Sequence, residues 1–261
     1  MPTSHTTFTT DGPLAILTFT RTEARNAMTW AMYDELVDAC ETVDNEPDLR
    51  VLVLRGSDDS AFVAGTDISQ FRDLRTPEDA LAYEARLDQV ITRLERVSKP
   101  TIARVQGVAV GGGCIIATAC DLRICGPDAR FGVPVARTLG NCLSAANCGR
   151  LLDLIGPARL KDLLFTGRLL DAQEALAAGL ATCVVEAEKL DRVLTDTAEK
   201  IAANAPLTIT ATKELVRRLQ VHRRGTPEMG DDLVTACYTS DDFRAAVDAF
   251  IAKRPPHWTG Q

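Results

Sequence analysis

The sequence predicts an α/β fold with a helical C-terminal extension. Strand-like segments dominate the first half of the 261-residue chain and helix-like segments the second, with alternation between them. At 104–121 an apolar, strand-like run breaks at Gly111-Gly112-Gly113 and continues with residues suited to a buried helix. Composition agrees: 46% of residues are hydrophobic and 25% charged, the balance of an ordinary globular protein.

Each element has its own signal. Residues 6–20 alternate around Asp11-Gly12, which predicts a β-hairpin with a tight turn. Arg21 to Met28 is polar and irregular. Thr29 can cap a helix running to about Asp44, with Trp30, Tyr33, Leu36, Val37 and Cys40 at helical spacing. The apolar run Val51-Leu52-Val53-Leu54 predicts a buried strand. Gly56 to Thr66 reads as a loop with a strand end. Pro77 opens a helix to about Val97, and Lys99-Pro100 breaks it.

After the glycine-interrupted stretch comes a short strand, Leu122–Cys125, then a loop from Phe131 to Asn141. Helical segments are expected near 144–155, 157–165 and 171–179, separated by Gly156-Pro157 and Gly167. A strand at Thr182–Val185 precedes helices near 187–203, 206–220 and 226–252, the last broken around Ser240. No fixed-period repeat is visible.

Composition and residue usage exclude several functions. The net charge of −7 argues against nucleic-acid binding over the whole surface. The long uncharged run Val105–Cys120 is too short and mixed to span a bilayer, and the N-terminus shows no secretory pattern, so a cytoplasmic protein is expected. The eight cysteines form no CxxC pair and have no nearby histidine, which leaves no metal site and no disulfide framework. They read as small buried apolar residues, with Cys142 set apart in a polar segment. The three histidines, His5, His222 and His257, lie near termini or in charged positions and cannot easily build a nucleophilic triad. Walker A and GxGxxG patterns are missing, the latter because position 116 is Ile.

What remains is the glycine turn. A strand feeding such a turn into a helix N-terminus leaves N–H groups unpaired, able to hold a phosphate or a carbonyl oxygen that becomes an oxyanion. Equally, the glycines could serve close packing alone. A second loop, Ala64-Gly65-Thr66-Asp67, could donate to the same oxygen. Each donor of such an oxyanion hole is worth roughly 3–4 kcal/mol in the transition state.

Together these pieces resemble the crotonase superfamily, the enoyl-CoA hydratase/isomerase group. The resemblance is carried by Arg25–Met28, Ala61–Ile68, Lys99–Ala103, Gly107–Cys114, Ala119–Asp121, Ala129–Gly132, Leu164–Gly167, Ala175–Leu180 and Phe250–Arg254, in order over nearly the whole chain. It implies a spiral of ββα units over 1–200, holding an acyl-CoA site, and a C-terminal helical trimerisation region over 201–261. It implies an acyl-CoA thioester as substrate, with coenzyme A as its carrier and no further cofactor, and a homotrimer or dimer of trimers. By the family pattern, Thr66 and Gly112 N–H groups would grip the thioester carbonyl. The Ala24–Ala27 segment, with Ala24, Arg25 and Ala27, would line the nucleotide end of coenzyme A together with Ala64, Asp67 and Ile68. Phe250 and Lys253 would reach a neighbouring subunit's coenzyme A, although Lys253 equally reads as a solvated cation at a helix end.

The chain departs from the hydratase pattern at two places. Hydratases of this family carry one glutamate directly after Gly-Gly-Gly-Cys and another after the proline that follows Phe-Gly-x; here those residues are Ile115 and Val135. Adding water across a conjugated double bond requires groups positioned as acid and base, so crotonyl-CoA hydration is expected to be weak or absent. Asp67, Asp121, Asp128 and Glu84 are candidate replacements, with Asp67 and Asp121 also suited to bracing their loops. Tyr83, Arg86, Arg137, Cys142, Ser144 and Asn147 are further polar candidates. Isomerisation, decarboxylation and thioester hydrolysis stay open, as does a non-catalytic coenzyme A binder. RNA binding through Lys213, Arg217, Arg218, Arg223 and Arg224 competes with a solvated helix face or a subunit contact.

Overall fold

The computed structural model describes residues 4–226 and 228–261. Met1 to Thr3, read above for a secretory pattern, and Pro227, inside the expected 226–252 helix, lie outside the described residues.

The chain begins with the expected hairpin, β1 (Thr6–Asp11) and β2 (Leu14–Phe19), paired antiparallel. Helix α1 (Trp30–Asn45) follows, and Thr29 caps it by accepting the Met32 N–H. Three ββα units come next. The first is β3 (Val51–Gly56), β4 (Ala61–Val63) and α2 (Pro77–Glu95); the second is β5 (Thr101–Val105), β6 (Val108–Val110) and α3 (Gly112–Ala119). The third is β7 (Leu122–Cys125), β8 (Arg130–Gly132) and the short α4 (Val135–Thr138), with α5 (Ala145–Thr166) behind it.

Each unit sends its first strand to one sheet and its second strand to another. The six-stranded sheet runs β1-β2-β3-β5-β7 and ends on β10 (Cys183–Val184); the four-stranded sheet runs β4-β6-β8 and ends on β9 (Leu170–Asp171). Between successive units all pairings are parallel. This is the spiral the family resemblance implies. First strands begin at Val51, Thr101 and Leu122, and this unequal spacing hides the repeat from the sequence.

The run Arg104–Val110, read above as one strand, is therefore two. Gly107 turns the chain from one sheet to the other with φ +66°, and a Cβ there would sit 2.1 Å from the Ser60 carbonyl oxygen. Only glycine tolerates both demands. A second difference lies in the segment from Phe131 to Asn141, expected as a loop, which contains the end of β8 and all of α4. Thr138 accounts for part of that: its N–H and its hydroxyl both bond the Pro134 carbonyl, closing one helical turn.

The apolar run of β3 follows from burial on both faces. Leu52 and Leu54 join the main core, while Val51 and Val53 pack with Ile102, Ile124, Leu190 and Leu194 under α7 (Leu190–Ala202). Helix α6 (Ala172–Ala177) precedes β10. Helices α8 (Pro206–Arg223), α9 (Asp231–Tyr238) and α10 (Asp241–Ile251) complete the chain. Helix α5 is broken at Gly156, where φ is +71°, at the Gly-Pro pair expected to divide it. The cysteines divide evenly: Cys40, Cys114, Cys120 and Cys125 are buried, whereas Cys142, Cys148, Cys183 and Cys237 are half-buried. The expectation of general burial holds for the first four.

Candidate functional site: two glycine-led amides at the mouth of one cavity

Two loops meet where β4 and β6 end. After β4, Gly65 takes φ +119°, and Thr66 forms an isolated bridge with Met28. After β6, Gly111 takes φ +54° and ψ −124°, and α3 begins at Gly112. A Cβ added to Gly112 would fall 2.6 Å from the Tyr33 hydroxyl, 3.0 Å from Thr66 Oγ1 and 3.7 Å from Thr66 N. The two loops are thus in contact, and a side chain at position 112 would collide. Among the described residues neither the Thr66 nor the Gly112 amide donates a backbone hydrogen bond. Gly112 opens a helix, where free N–H groups carry partial positive charge. Gly113 is fixed by packing: a Cβ there would lie 2.1 Å from the Val63 carbonyl oxygen.

Both amides border a cavity of about 800 Å³. Ala24, Arg25, Ala27, Ala64, Asp67, Ile68, Phe250 and Lys253 line the same cavity. The structure therefore brings the residues that the resemblance names for the thioester and coenzyme A to one place. Phe250 and Lys253, expected to reach a neighbouring subunit's coenzyme A, line the cavity of their own chain. Helix α10 folds back over the 3-10 turn Ile68–Phe71, with Phe243 and Phe71 edge to face at 6.0 Å, and carries Phe250 to the rim.

Local backbone explains the placement of the Ala24–Ala27 segment. Arg25 and Asn26 adopt φ +50° and +58°. Buried Asn26 donates its amide hydrogens to the Ala61 and Phe62 carbonyls, at 3.0 and 3.2 Å, and so offsets that uncommon geometry. Asp67 braces its loop, accepting from Ser69 and pairing with Arg21 at 2.7 Å. Partial burial raises its carboxyl, but the Ser69 and Arg21 contacts outweigh that and hold it below the usual range. Asp121 accepts from Thr101 and Lys213 outside this cavity, and Asp128 is an exposed turn residue.

The position one turn into α3 is Ile115, buried and lining the cavity, and Val135 lines it at the start of α4. No carboxylate stands at either. Of the other polar candidates, Tyr83, Glu84 and Cys142 line the cavity. Arg86 does not: it stacks 4.0 Å over Trp30 and pairs with Asp34. Arg137 is exposed, Ser144 caps α5, and buried Asn147 accepts from Arg150.

Two features escaped sequence reasoning. Tyr33, read only as a core residue of α1, places its hydroxyl 2.8 Å from Thr66 Oγ1, and Tyr83 donates to the same oxygen at 3.4 Å. Burial pushes both phenols well above their ordinary range, so they stay neutral. The second is Tyr238 of α9, whose hydroxyl donates to Glu84 Oε1 and accepts from Asn141 at 2.9 Å. Burial pushes the Glu84 carboxyl up to about 7, with the Tyr238 hydrogen bond acting in the opposite direction. Helical spacing marks such residues as buried; it does not show which loop they meet.

This spiral, with two free amides facing one cavity, defines a crotonase-type protein. The chain belongs to the enoyl-CoA hydratase/isomerase family, whose family model matches residues 9–261. It is 34% identical over 245 residues to a short-chain-enoyl-CoA hydratase of Clostridium acetobutylicum, covering 94% of this chain and 93% of that protein. It is 33% identical to a crotonyl-CoA hydratase of Syntrophomonas wolfei, covering 92% of each. Among solved structures, a methylmalonyl-CoA decarboxylase in complex with 2-nitronate-propionyl-CoA superposes with a TM-score of 0.90 at 28% identity, over 99% of both chains. An enoyl-CoA hydratase/carnithine racemase from Magnetospirillum magneticum gives 0.81 at 31% identity, over 99% of this chain and 97% of that one.

Proposed function

We propose that this protein is an acyl-CoA enzyme that stabilises a thioester enolate between the Thr66 and Gly112 amides and hydrates crotonyl-CoA weakly or not at all. One observation carries the reading. The two amides are adjacent and free, while apolar Ile115 and Val135 occupy the wall positions where family hydratases place their glutamates. The amides would stabilise charge on the thioester oxygen, strengthened by the α3 dipole. Ala24, Arg25, Ala27, Ala64, Asp67 and Ile68 would hold the nucleotide end of coenzyme A, with Phe250 and Lys253 closing over it.

Decarboxylation is the second reading. Loss of CO₂ from a carboxylated acyl thioester creates the enolate without a base and needs mainly an oxyanion hole. The 0.90 superposition on a methylmalonyl-CoA decarboxylase favours it. Isomerisation needs a proton carrier in addition.

Residues 201–261 would supply subunit contacts in a homotrimer or dimer of trimers. Helix α8 has no buried residue and exposes Leu207, Leu215, Val216 and Leu219. RNA binding by the basic cluster loses support from pairing: Lys213 meets Asp121, Arg217 and Arg218 meet Glu214, and Arg223 and Arg224 meet Asp153. No described helix is long and apolar enough to cross a membrane.

The test is conversion of an acyl-CoA panel, including carboxylated acyl thioesters, followed by mass spectrometry with Gly112→Pro alongside. Proline removes the proposed donor at the first position of α3, where it breaks no helix hydrogen bond. Its Cβ meets the same Tyr33 and Thr66 oxygens as that of Gly112→Ala, which keeps the N–H and serves as the steric control. Conversion by the wild type and its loss in the folded variant support the reading; unchanged conversion in the variant refutes the oxyanion assignment. Coenzyme A binding without any conversion would instead identify a non-catalytic binder.

A further inference from the structure

Glu84 separates two cavities. Among the described residues it alone lines both the 800 Å³ acyl cavity and a second one of about 590 Å³ on the far side of α2. Its side chain is 6% exposed, its Oε1 accepts from Tyr238, and its Oε2 is buried without a hydrogen-bond partner among the described residues. A buried, half-satisfied carboxyl is costly and calls for a role. The site otherwise offers apolar Ile115 and Val135 where a proton carrier would stand.

We propose that Glu84 is the proton carrier of the acyl cavity, exchanging its proton with solvent through the second cavity. The proposal rests on the acyl-CoA reading above. In the step, the Glu84 O–H bond breaks and its proton goes to the α-carbon of the thioester enolate. The enolate's electron pair becomes the new C–H bond, the carbonyl re-forms, and the resulting carboxylate is reprotonated by hydronium or buffer acid from the solvent to which the second cavity opens. The reverse step abstracts an α-proton.

The surroundings suit a group that changes charge near neutrality. Burial pushes its carboxyl up to about 7. From its own helix it is faced by Tyr83 and Asp88; from α1 by Tyr33; from α9 by Tyr238; from the α4–α5 connection by Cys142 and by the Ser144 N–H, which favours the charged form; and from α5 by Cys148. Arg93, Arg96, Glu228 and Asp231 line the second cavity with it. Arg150 meets Asp88 at 3.4 Å, and among the described residues no cation pairs with Glu84. Deprotonation is therefore left sensitive to the hydrogen bond from Tyr238.

The experiment is exchange of the α-protons of butyryl-CoA in deuterium oxide, with binding measured separately by calorimetry. Wild type is expected to exchange with an acidic limb near pH 7. Glu84→Gln should bind butyryl-CoA within about threefold of wild type and lose exchange by about 100-fold or more. Tyr238→Phe removes a donor that favours the charged form, so its acidic limb should move to higher pH. Exchange in Glu84→Gln within about tenfold of wild type overturns the proposal. So does wild-type binding without exchange, which leaves the acyl-CoA reading standing. Should Glu84→Gln not fold, an unmoved limb in Tyr238→Phe overturns it. Failure of the wild type to bind butyryl-CoA rejects the underlying reading together with the proposal.

Discussion

The Tyr33 hydroxyl stands 2.8 Å from Thr66 Oγ1, and a Cβ on Gly112 would press within 2.6 Å of that hydroxyl. One fully buried phenol thus sets the position of both site loops. Tyr33→Phe removes the hydrogen bond without changing the packing of the ring. The expected outcome is a stability loss of about 1 kcal/mol in urea unfolding, with turnover of the identified substrate falling about tenfold through misplacement of Thr66.

Gly112→Ala should be more severe for activity. Its Cβ would meet Tyr33, and then Thr66 Oγ1 at 3.0 Å, so the two loops must move apart. A loss of about 10²-fold in kcat is expected, the size of one removed oxyanion donor. Because the nearest atom is the Tyr33 oxygen, Gly112→Ala and Tyr33→Phe should not be additive. Unfolding of the double variant should show a coupling of about 1 kcal/mol in its favour.

Arg150 is buried among carboxylates. Its guanidinium pairs with Glu95 at 2.9 Å and Asp88 at 3.4 Å, and bonds Asn147 and Thr92. Burial raises the Glu95 carboxyl, but Arg150 and Arg224 outweigh it and hold the group below its usual range. Its stabilising contribution is present above the unfolded value and is lost as pH falls through the folded one. Arg150→Met leaves buried charge unpaired and should cost about 3–5 kcal/mol by urea unfolding at neutral pH.

Glu84 has the opposite sign. Its folded value, about 7, lies above its ordinary 4.5. The stability it permits is present in full below the lower value and is lost as pH rises through the upper one. Glu84→Gln should therefore gain on wild type between pH 5 and pH 8, by roughly 2.5 kcal/mol. Urea midpoints for both proteins at the two pH values check this directly.

How much of this was legible in the residues varies by element. The hairpin, α1, α2 and the division of α5 at Gly156-Pro157 follow from local signals: alternation, a Thr cap, Pro77 and a helix-breaking pair. That the Thr66 loop could meet the glycine turn was offered from the residues, but the pairing of Thr66 with Gly112 came from the family pattern, since nothing local says that two loops 46 positions apart are in contact. The crossing at Gly107 was hidden because an apolar run carries no mark of which sheet each half joins. That Phe250 and Lys253 also line the cavity of their own chain was not legible, because sequence does not show that α10 folds back on Phe71. Tyr33, Tyr238 and the double exposure of Glu84 depend on tertiary packing alone.

The most direct measurement is crotonyl-CoA hydration by the purified wild type, followed as loss of the conjugated thioester absorbance, with coenzyme A thioester binding confirmed by calorimetry in the same preparation. With Ile115 and Val135 in the wall, binding is expected with hydration at or near the uncatalysed level. Rapid hydration, as the names of the relatives from Clostridium acetobutylicum and Syntrophomonas wolfei describe, would contradict it.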